Sequence, residues 1–195
     1  MKNGSGSIYA ASADDGSEII RGFQISLLGV DPGEISRGTF SGPQNLRAWK
    51  EWAEVIFQPI ILPKFRAIYA ATSGMKHRTI AEVDRELSAL FSDETCKHST
   101  VAARAFHGSK SEVKHMPQWI RFEEKLENGE SPGHLPTLFA IQSALFNVPI
   151  FSALISYAYV EWSAIKPVGN ASFEEAVACL KPMIQASQTF GLHSI

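Results

Sequence analysis

Residues 135–165 read LPTLFAIQSALFNVPIFSALISYAYVEWSAI, and this stretch decides the fold. Within it, no charged side chain occurs before Glu161. Asn147-Val148-Pro149 interrupts the run, because proline lacks a backbone donor and biases its predecessor away from helical angles. The pattern predicts two apolar helices, over 136–146 and 149–166, joined by a tight bend and covered on nearly all sides by neighbouring helices.

A membrane-spanning segment is the alternative interpretation of this run, since about 18 consecutive apolar residues suffice to cross a bilayer. The proline break divides the run into shorter pieces, and polar side chains such as Gln142 and Ser156 dilute it further. The chain has no clear second apolar span, and lysine and arginine are sparse at the flanks. The sequence therefore favours a buried helical hairpin over a transmembrane one.

Length and composition place the chain among ordinary globular proteins. It has 195 residues, of which 45% are hydrophobic, and that is enough for one domain with a sizeable core. A net charge of −2 gives no electrostatic case for binding nucleic acid or an anionic membrane surface. Cys96 and Cys179 form no CxxC pair, and no signal peptide is evident, so we expect a reduced cytoplasmic chain.

Helix-start and helix-stop signals divide the rest of the chain. We expect flexible tails over 1–16 and 191–195, with one all-helical domain over 17–190 that begins with a short helix over 17–28. No stretch shows convincing strand alternation. The sequence therefore predicts an all-α, single-domain bundle of about seven to nine helices around the central apolar hairpin.

Three local sequence features predict where individual helices begin or end. Pro59 is expected to interrupt the chain between a helix over 45–57 and an apolar segment over 60–71. Thr79-Ile80-Ala81-Glu82 and Ser172-Phe173-Glu174-Glu175 both have the spacing of a capping box, in which the hydroxyl and the carboxylate each bond a free backbone amide.

The residues that usually carry chemistry do not form a recognisable site. None of the six histidines has the spacing of a metal-ligand pair, and no GxSxG, P-loop or GxGxxG motif occurs. We therefore predict no catalytic residue, no metal site and no cofactor. A small helical enzyme or ligand-binding protein stays open as the alternative, with a pocket inside the bundle near Tyr157, Tyr159 or Glu161. We expect Glu161 itself to be an exposed residue at a helix end.

A motif near the N-terminus points to a known family. Residues 15–31 read DGSEIIRGFQISLLGVD and resemble the pattern D-S-x-L-P-x-G-G-F-x-x-S-x-G-L-E of the urease accessory protein F (UreF) family. The matching positions are Asp15, Gly22, Phe23, Ser26 and Gly29, with one residue inserted before Gly29. The proline and the first glycine of the pattern are replaced by Ile19 and Arg21.

Further pieces of the same family pattern follow in order along the chain. Leu46 and Trp49 are similar to its L-x-x-W helix, and 84–90 resembles its L-D-x-E-L-x-A segment. Gly133-His134-Leu135-Pro136 is similar to its G-H-x-P, and Pro167-Val168-Gly169 is similar to its P-L-G-Q turn. No single piece is specific, so the resemblance rests on the ordered set, which covers about residues 15–185.

The resemblance implies a function without catalysis. UreF proteins are all-helical homodimers that bind the accessory protein UreH (UreD) and the GTPase UreG, and the complex acts on apo-urease so that nickel enters the active site. For this chain it implies a urease accessory adaptor, with partner contacts expected at Gly22, Phe23, Ser26, Gly29 and His134. A structural interaction protein unrelated to nickel is a further alternative.

Overall fold

The computed structural model describes Ile35 and residues 37–108, 112–165 and 172–189. These ranges are helical with connecting turns and contain no β-strand, which confirms the all-α fold. The predicted tails and the predicted helix over 17–28 lie outside the described residues. The α-helices are α1 Leu46–Trp52, α2 Leu62–Ser73, α3 His77–Leu90, α4 Asp93–Gly108, α5 Pro117–Glu127, α6 Leu135–Leu145, α7 Ile150–Ser163 and α8 Phe173–Thr189.

The central hairpin forms as the sequence predicts. Every residue of α6 from Leu135 to Ala144 is buried, and α7 buries most of its length. At the bend Asn147 has a φ of 54°, a left-handed conformation that asparagine tolerates better than most residues. Helices α2 and α4 cover α6, and α8 packs along α7. No described helix is both long enough and apolar enough to cross a bilayer.

The expected break at Pro59 does not occur. A π-helical segment, Ala53–Ile61, contains Pro59 and joins α1 to α2 without interruption. At its end the N–H of Leu62 donates to the carbonyl of Phe57, five residues earlier. In an ordinary α-helix the proline ring clashes with the carbonyl four residues earlier, and this clash breaks the helix. The wider π turn moves that carbonyl away from the ring. One long helical rod therefore replaces the predicted helix over 45–57 and the separate apolar segment over 60–71.

The two predicted capping boxes have different outcomes. Ser172 forms one: the Glu175 N–H donates to the Ser172 hydroxyl at 3.2 Å, and the Ser172 N–H donates to the Glu175 carboxylate at 3.0 Å. The box at Thr79 is wrong, because α3 begins two residues earlier and places Thr79 inside its first turn. Glu82 instead pairs with Arg78 at 2.9 Å. Met75, with a φ of 57°, lies in the turn that immediately precedes the start of α3 at His77.

Candidate functional site

A buried carboxylate on α3 holds the start of α6. One oxygen of Asp84 accepts from the Ser131 hydroxyl and from the Gly133 N–H at 2.7 Å. The other accepts from the His134 N–H at 3.2 Å and from the Thr137 hydroxyl. A negative side chain at this position satisfies free amides and interacts favourably with the helix dipole. Asp84 therefore fixes the point at which the central hairpin begins.

His134 lies beside this carboxylate and is completely buried, with 0% of its surface exposed. Its Nε2 is 2.8 Å from the Ser88 hydroxyl, and the Phe91 ring packs edge-on against it at 5.3 Å. Burial lowers the pKa of the His134 imidazole below its usual value, and the Asp84 carboxylate acts in the opposite direction. The imidazole is therefore a neutral core group. We call Asp84 and these neighbours the Asp84 cluster: Asp84, Ser88, Ser131, Gly133, His134 and Thr137.

A second buried carboxylate, Glu161 on α7, corrects the expectation of an exposed helix end. Its side chain has 0% exposure. It accepts from the N–H groups of Thr39 and Phe40 and from the Thr39 hydroxyl. The Tyr157 hydroxyl, one helical turn earlier, donates to the same carboxylate. The expectation failed because Thr39 lies far away in the sequence, so no local pattern indicates these donors.

Tyr157 connects this carboxylate to the aromatic core. Its hydroxyl lies 3.3 Å from that of Thr39, which also accepts from the Trp52 indole N–H at 3.3 Å. Burial raises the pKa of Tyr157 well above its usual value, and the adjacent Glu161 carboxylate raises it further. Tyr157 therefore stays protonated and acts as a permanent donor. We call this group the Glu161 cluster: Thr39, Phe40, Tyr157 and Glu161.

Two of the three polar groups named for the alternative function come together, but their hydrogen-bond partners are groups of the protein itself. Tyr157 and Glu161 are bonded to each other and to the chain at Thr39 and Phe40. Tyr159 lies apart from them, half-buried, with its ring edge-on to Phe173 at 4.8 Å. A carboxylate that already accepts several protein donors is poorly placed to bind a substrate or act as a base. The geometry favours a structural role for these groups over ligand binding.

Of the five predicted partner residues, the structure describes only His134. Gly22, Phe23, Ser26 and Gly29 lie outside the described residues, so partner binding by them stays a prediction. His134 is described, and it lies in the Asp84 cluster instead of on the surface. The imidazole is completely buried in this structure, and partner binding by His134 stays a prediction.

No metal site is evident in the described part of the chain, where no three histidine, cysteine, aspartate or glutamate side chains converge. His107 illustrates how the described histidines are used. Its ring stacks on Trp119 at 5.4 Å, and its Nε2 is 3.5 Å from the Glu123 carboxylate. His107 therefore takes part in a contact between α4 and α5.

Comparison with known proteins supports the motif analysis. A sequence model of the UreF family matches residues 41–166. The matched region contains Asp84 and His134, which belong to two separate motifs that the structure brings into one cluster. The N-terminal motif over 15–31 lies outside the match. No curated protein and no solved structure matches the chain significantly. Because the family match spans more than half of the 195 residues, the chain belongs to the UreF family of urease accessory proteins.

Proposed function

We propose that this chain is a non-catalytic adaptor that assembles a GTPase-containing complex for nickel insertion into urease. Its partners are a UreG-like GTPase, a UreH-like (UreD-like) accessory protein and apo-urease, and it works as a cytoplasmic homodimer. The observation that carries the proposal is the family match over residues 41–166. The meeting of two family motifs in the Asp84 cluster supports it.

The use of the buried polar groups supports a role without catalysis. Asp84 and Glu161 both accept hydrogen bonds from the chain's own backbone and hydroxyl groups. An active site requires groups that are held in place yet open toward a substrate. Partner recruitment requires instead a well-defined outer surface on a rigid body, and these clusters provide the rigidity.

We assign the partner surface from the N-terminal sequence motif and not from the exposed apolar side chains. Single exposed apolar side chains are ordinary on proteins and define no patch by themselves. The described residues carry five large ones on separate elements: Val55, Met75, Leu90, Val101 and Ile120. We place the partner contacts on Gly22, Phe23, Ser26 and Gly29, which are the matching positions of the N-terminal motif.

Reconstitution with purified proteins tests the proposal. The chain is mixed with a UreG-like GTPase and a UreH-like protein from the same organism, and the masses of the complexes are measured by size-exclusion chromatography with light scattering. We expect one complex that contains all three proteins, and a homodimer for the chain alone. Mixtures that lack the chain serve as the control. Separate elution of the chain from both proteins would contradict the proposal.

A further inference from the structure

Gln142 is a polar residue on the apolar helix α6, inside the bundle. It has 0% of its surface exposed, and its neighbours from Leu135 to Ala144 are all buried as well. Its backbone is ordinary, because the Gln142 carbonyl accepts from the Phe146 N–H at 3.0 Å, one helical turn later. The side chain is therefore the part of the residue that needs an explanation.

Neither polar atom of this side chain has a hydrogen-bond partner within the described part of the chain. Its Nε2, which carries two donor hydrogens, and its Oε1, which accepts, are both buried and unpaired. Moving an amide from water into apolar surroundings without a new hydrogen bond is strongly unfavourable. Buried polar groups in folded proteins are therefore almost always paired, either with protein atoms or with bound water. An amide without a protein partner points to a bound molecule.

Another buried glutamine shows the usual arrangement. Gln44 lies just before α1, and its Nε2 donates to the carbonyl of Trp162 near the end of α7. The buried carboxylates Asp84 and Glu161 likewise accept several hydrogen bonds each from the protein. These polar groups are paired across elements of the fold, and the Gln142 amide departs from that pattern.

Three helices enclose this part of α6. Phe139, three positions before Gln142, packs against a ring from each of them, with centroid distances of 6.4 Å to Phe65 on α2, 5.3 Å to Phe106 on α4 and 5.7 Å to Tyr157 on α7. Residues three apart on a helix are neighbours on its surface, so the Gln142 side chain leaves α6 on the same side. The amide therefore lies among packed helices, where only a very small molecule can reach it.

We propose that the side-chain amide of Gln142 binds a buried water molecule inside the bundle. The bound molecule must donate to Oε1 or accept from Nε2, and water does both and is the smallest molecule that can. Folded proteins hold about one buried water per 27 residues, so such a site is expected in a chain of 195 residues. The second lone pairs of helix carbonyls can accept the remaining bonds of the water. This inference does not depend on the proposed function.

A crystal structure of the full chain tests the site directly. At a resolution that shows ordered water, we expect electron density for a water within about 3.2 Å of Nε2 or Oε1 of Gln142. An amide that bonds only to protein atoms, or an amide with no water density beside it, would overturn the proposal. The structure of Gln142→Met should lack this water and keep the waters that are bound elsewhere in the core.

Two methionine variants compare the amide with an apolar neighbour. Gln142→Met keeps an unbranched side chain of similar length but removes the amide that would bind the water. Leu138→Met, one turn earlier on α6, is the matched control, since Leu138 is buried with 2% exposure and the change is from one apolar side chain to another. The control measures what it costs to pack methionine in this part of the core. Thermal unfolding of both variants gives their midpoints.

A water-bound amide and a bare amide predict different orders of the two midpoints. If water compensates the amide, we expect Gln142→Met to unfold at the same temperature as Leu138→Met or below it, because the bonds to the water are lost together with the amide. A bare amide predicts that Gln142→Met unfolds about 2 °C or more above Leu138→Met, since an uncompensated polar group is then removed from the core. That higher midpoint would overturn the proposal.

Discussion

Asp84 and Glu161 are both carboxylates with no exposed surface. Each accepts hydrogen bonds from donors that lie elsewhere in the sequence, about 50 residues away for Asp84 and about 120 for Glu161. A buried charge is tolerated only when its hydrogen bonds are complete. Two such residues therefore specify which parts of the chain must meet.

Replacing Asp84 should be among the most damaging single changes. Asp84→Ala leaves the Gly133 and His134 N–H groups and two hydroxyls without their acceptor. We expect a loss of about 3 kcal/mol in the free energy of unfolding, measured by urea denaturation. Asp84→Asn keeps one acceptor oxygen and should lose less. A loss below about 1 kcal/mol for Asp84→Ala would show that the cluster contributes little.

The buried imidazole of His134 should make stability depend on pH. Burial lowers its pKa in the folded protein below the ordinary value of 6.5. The unfolded chain therefore takes up a proton first as the pH falls, so stability is full above about pH 6.5 and decreases below it until the folded pKa is reached. The slope in that window is at most about 1.4 kcal/mol per pH unit for this one group.

Comparison with His134→Gln isolates this contribution. The pKa of His77 is also lowered, by burial and by the nearby Arg121 and Lys125, but that effect is common to both proteins. Denaturation curves between about pH 7.5 and about pH 5.5 should show a smaller loss of stability in the variant. Identical losses in the two proteins would contradict a neutral, buried His134.

The sequence contains part of the signal for these residues. Asp84 lies on the apolar stripe of α3, between Val83 and Leu87 and one turn after Ile80, so its burial could have been predicted from helical spacing. Its partners at 131–137 could not, because they depend on how α3 packs near α6. For Glu161 even burial was predicted wrongly, since it ends an apolar run and Thr39 belongs to a loop without periodicity.

At the scale of whole elements, the central hairpin was predictable and the first rod was not. An apolar run divided by a proline bend predicts two buried helices, and the structure confirms both. Pro59 usually ends a helix, but here the π-helical segment Ala53–Ile61 accommodates it. Periodicity does not reveal a change from α to π hydrogen bonding, because the buried residues Ala53, Phe57 and Ile61 are four apart, a spacing that an α-helix also allows.

The turn between α5 and α6 provides a matched pair of glycines for a test at this scale. Both have a positive φ, 70° at Gly129 and 75° at Gly133. A Cβ on Gly129 meets nothing within 4 Å, and one on Gly133 would lie 2.6 Å from the Leu126 side chain. Gly129→Ala should therefore cost about 1 kcal/mol from backbone strain alone, and Gly133→Ala about 2 kcal/mol or more.

Urea denaturation of the two alanine variants checks this order. Because the backbone strain is nearly the same, the difference between them reports the close packing of Gly133 against Leu126. In a Leu126→Ala background, the additional cost of Gly133→Ala should fall toward the cost of Gly129→Ala, because the close contact is then removed. A smaller loss for Gly133→Ala than for Gly129→Ala would contradict the described start of α6.

At the scale of the whole molecule, the described residues form a helical body in which the buried carboxylates Asp84 and Glu161 accept hydrogen bonds from the chain itself. The fold class is all-α in the described ranges, and the family is that of the urease accessory proteins UreF. The family could be identified from the order of weak motifs along the sequence. The family match, which covers residues 41–166, confirms it. The individual roles of Asp84 and Glu161 needed the structure, because sequence motifs do not show which distant residues touch.

Activation of urease is the most direct measurement of the central claim. Apo-urease is incubated with nickel, GTP, the UreG-like GTPase and the UreH-like protein, with and without this chain, and urease activity and bound nickel are followed together. We predict that activity and nickel content rise well above background only when the chain is present, and that the chain alone turns over no substrate. Equal activation without the chain would contradict the account.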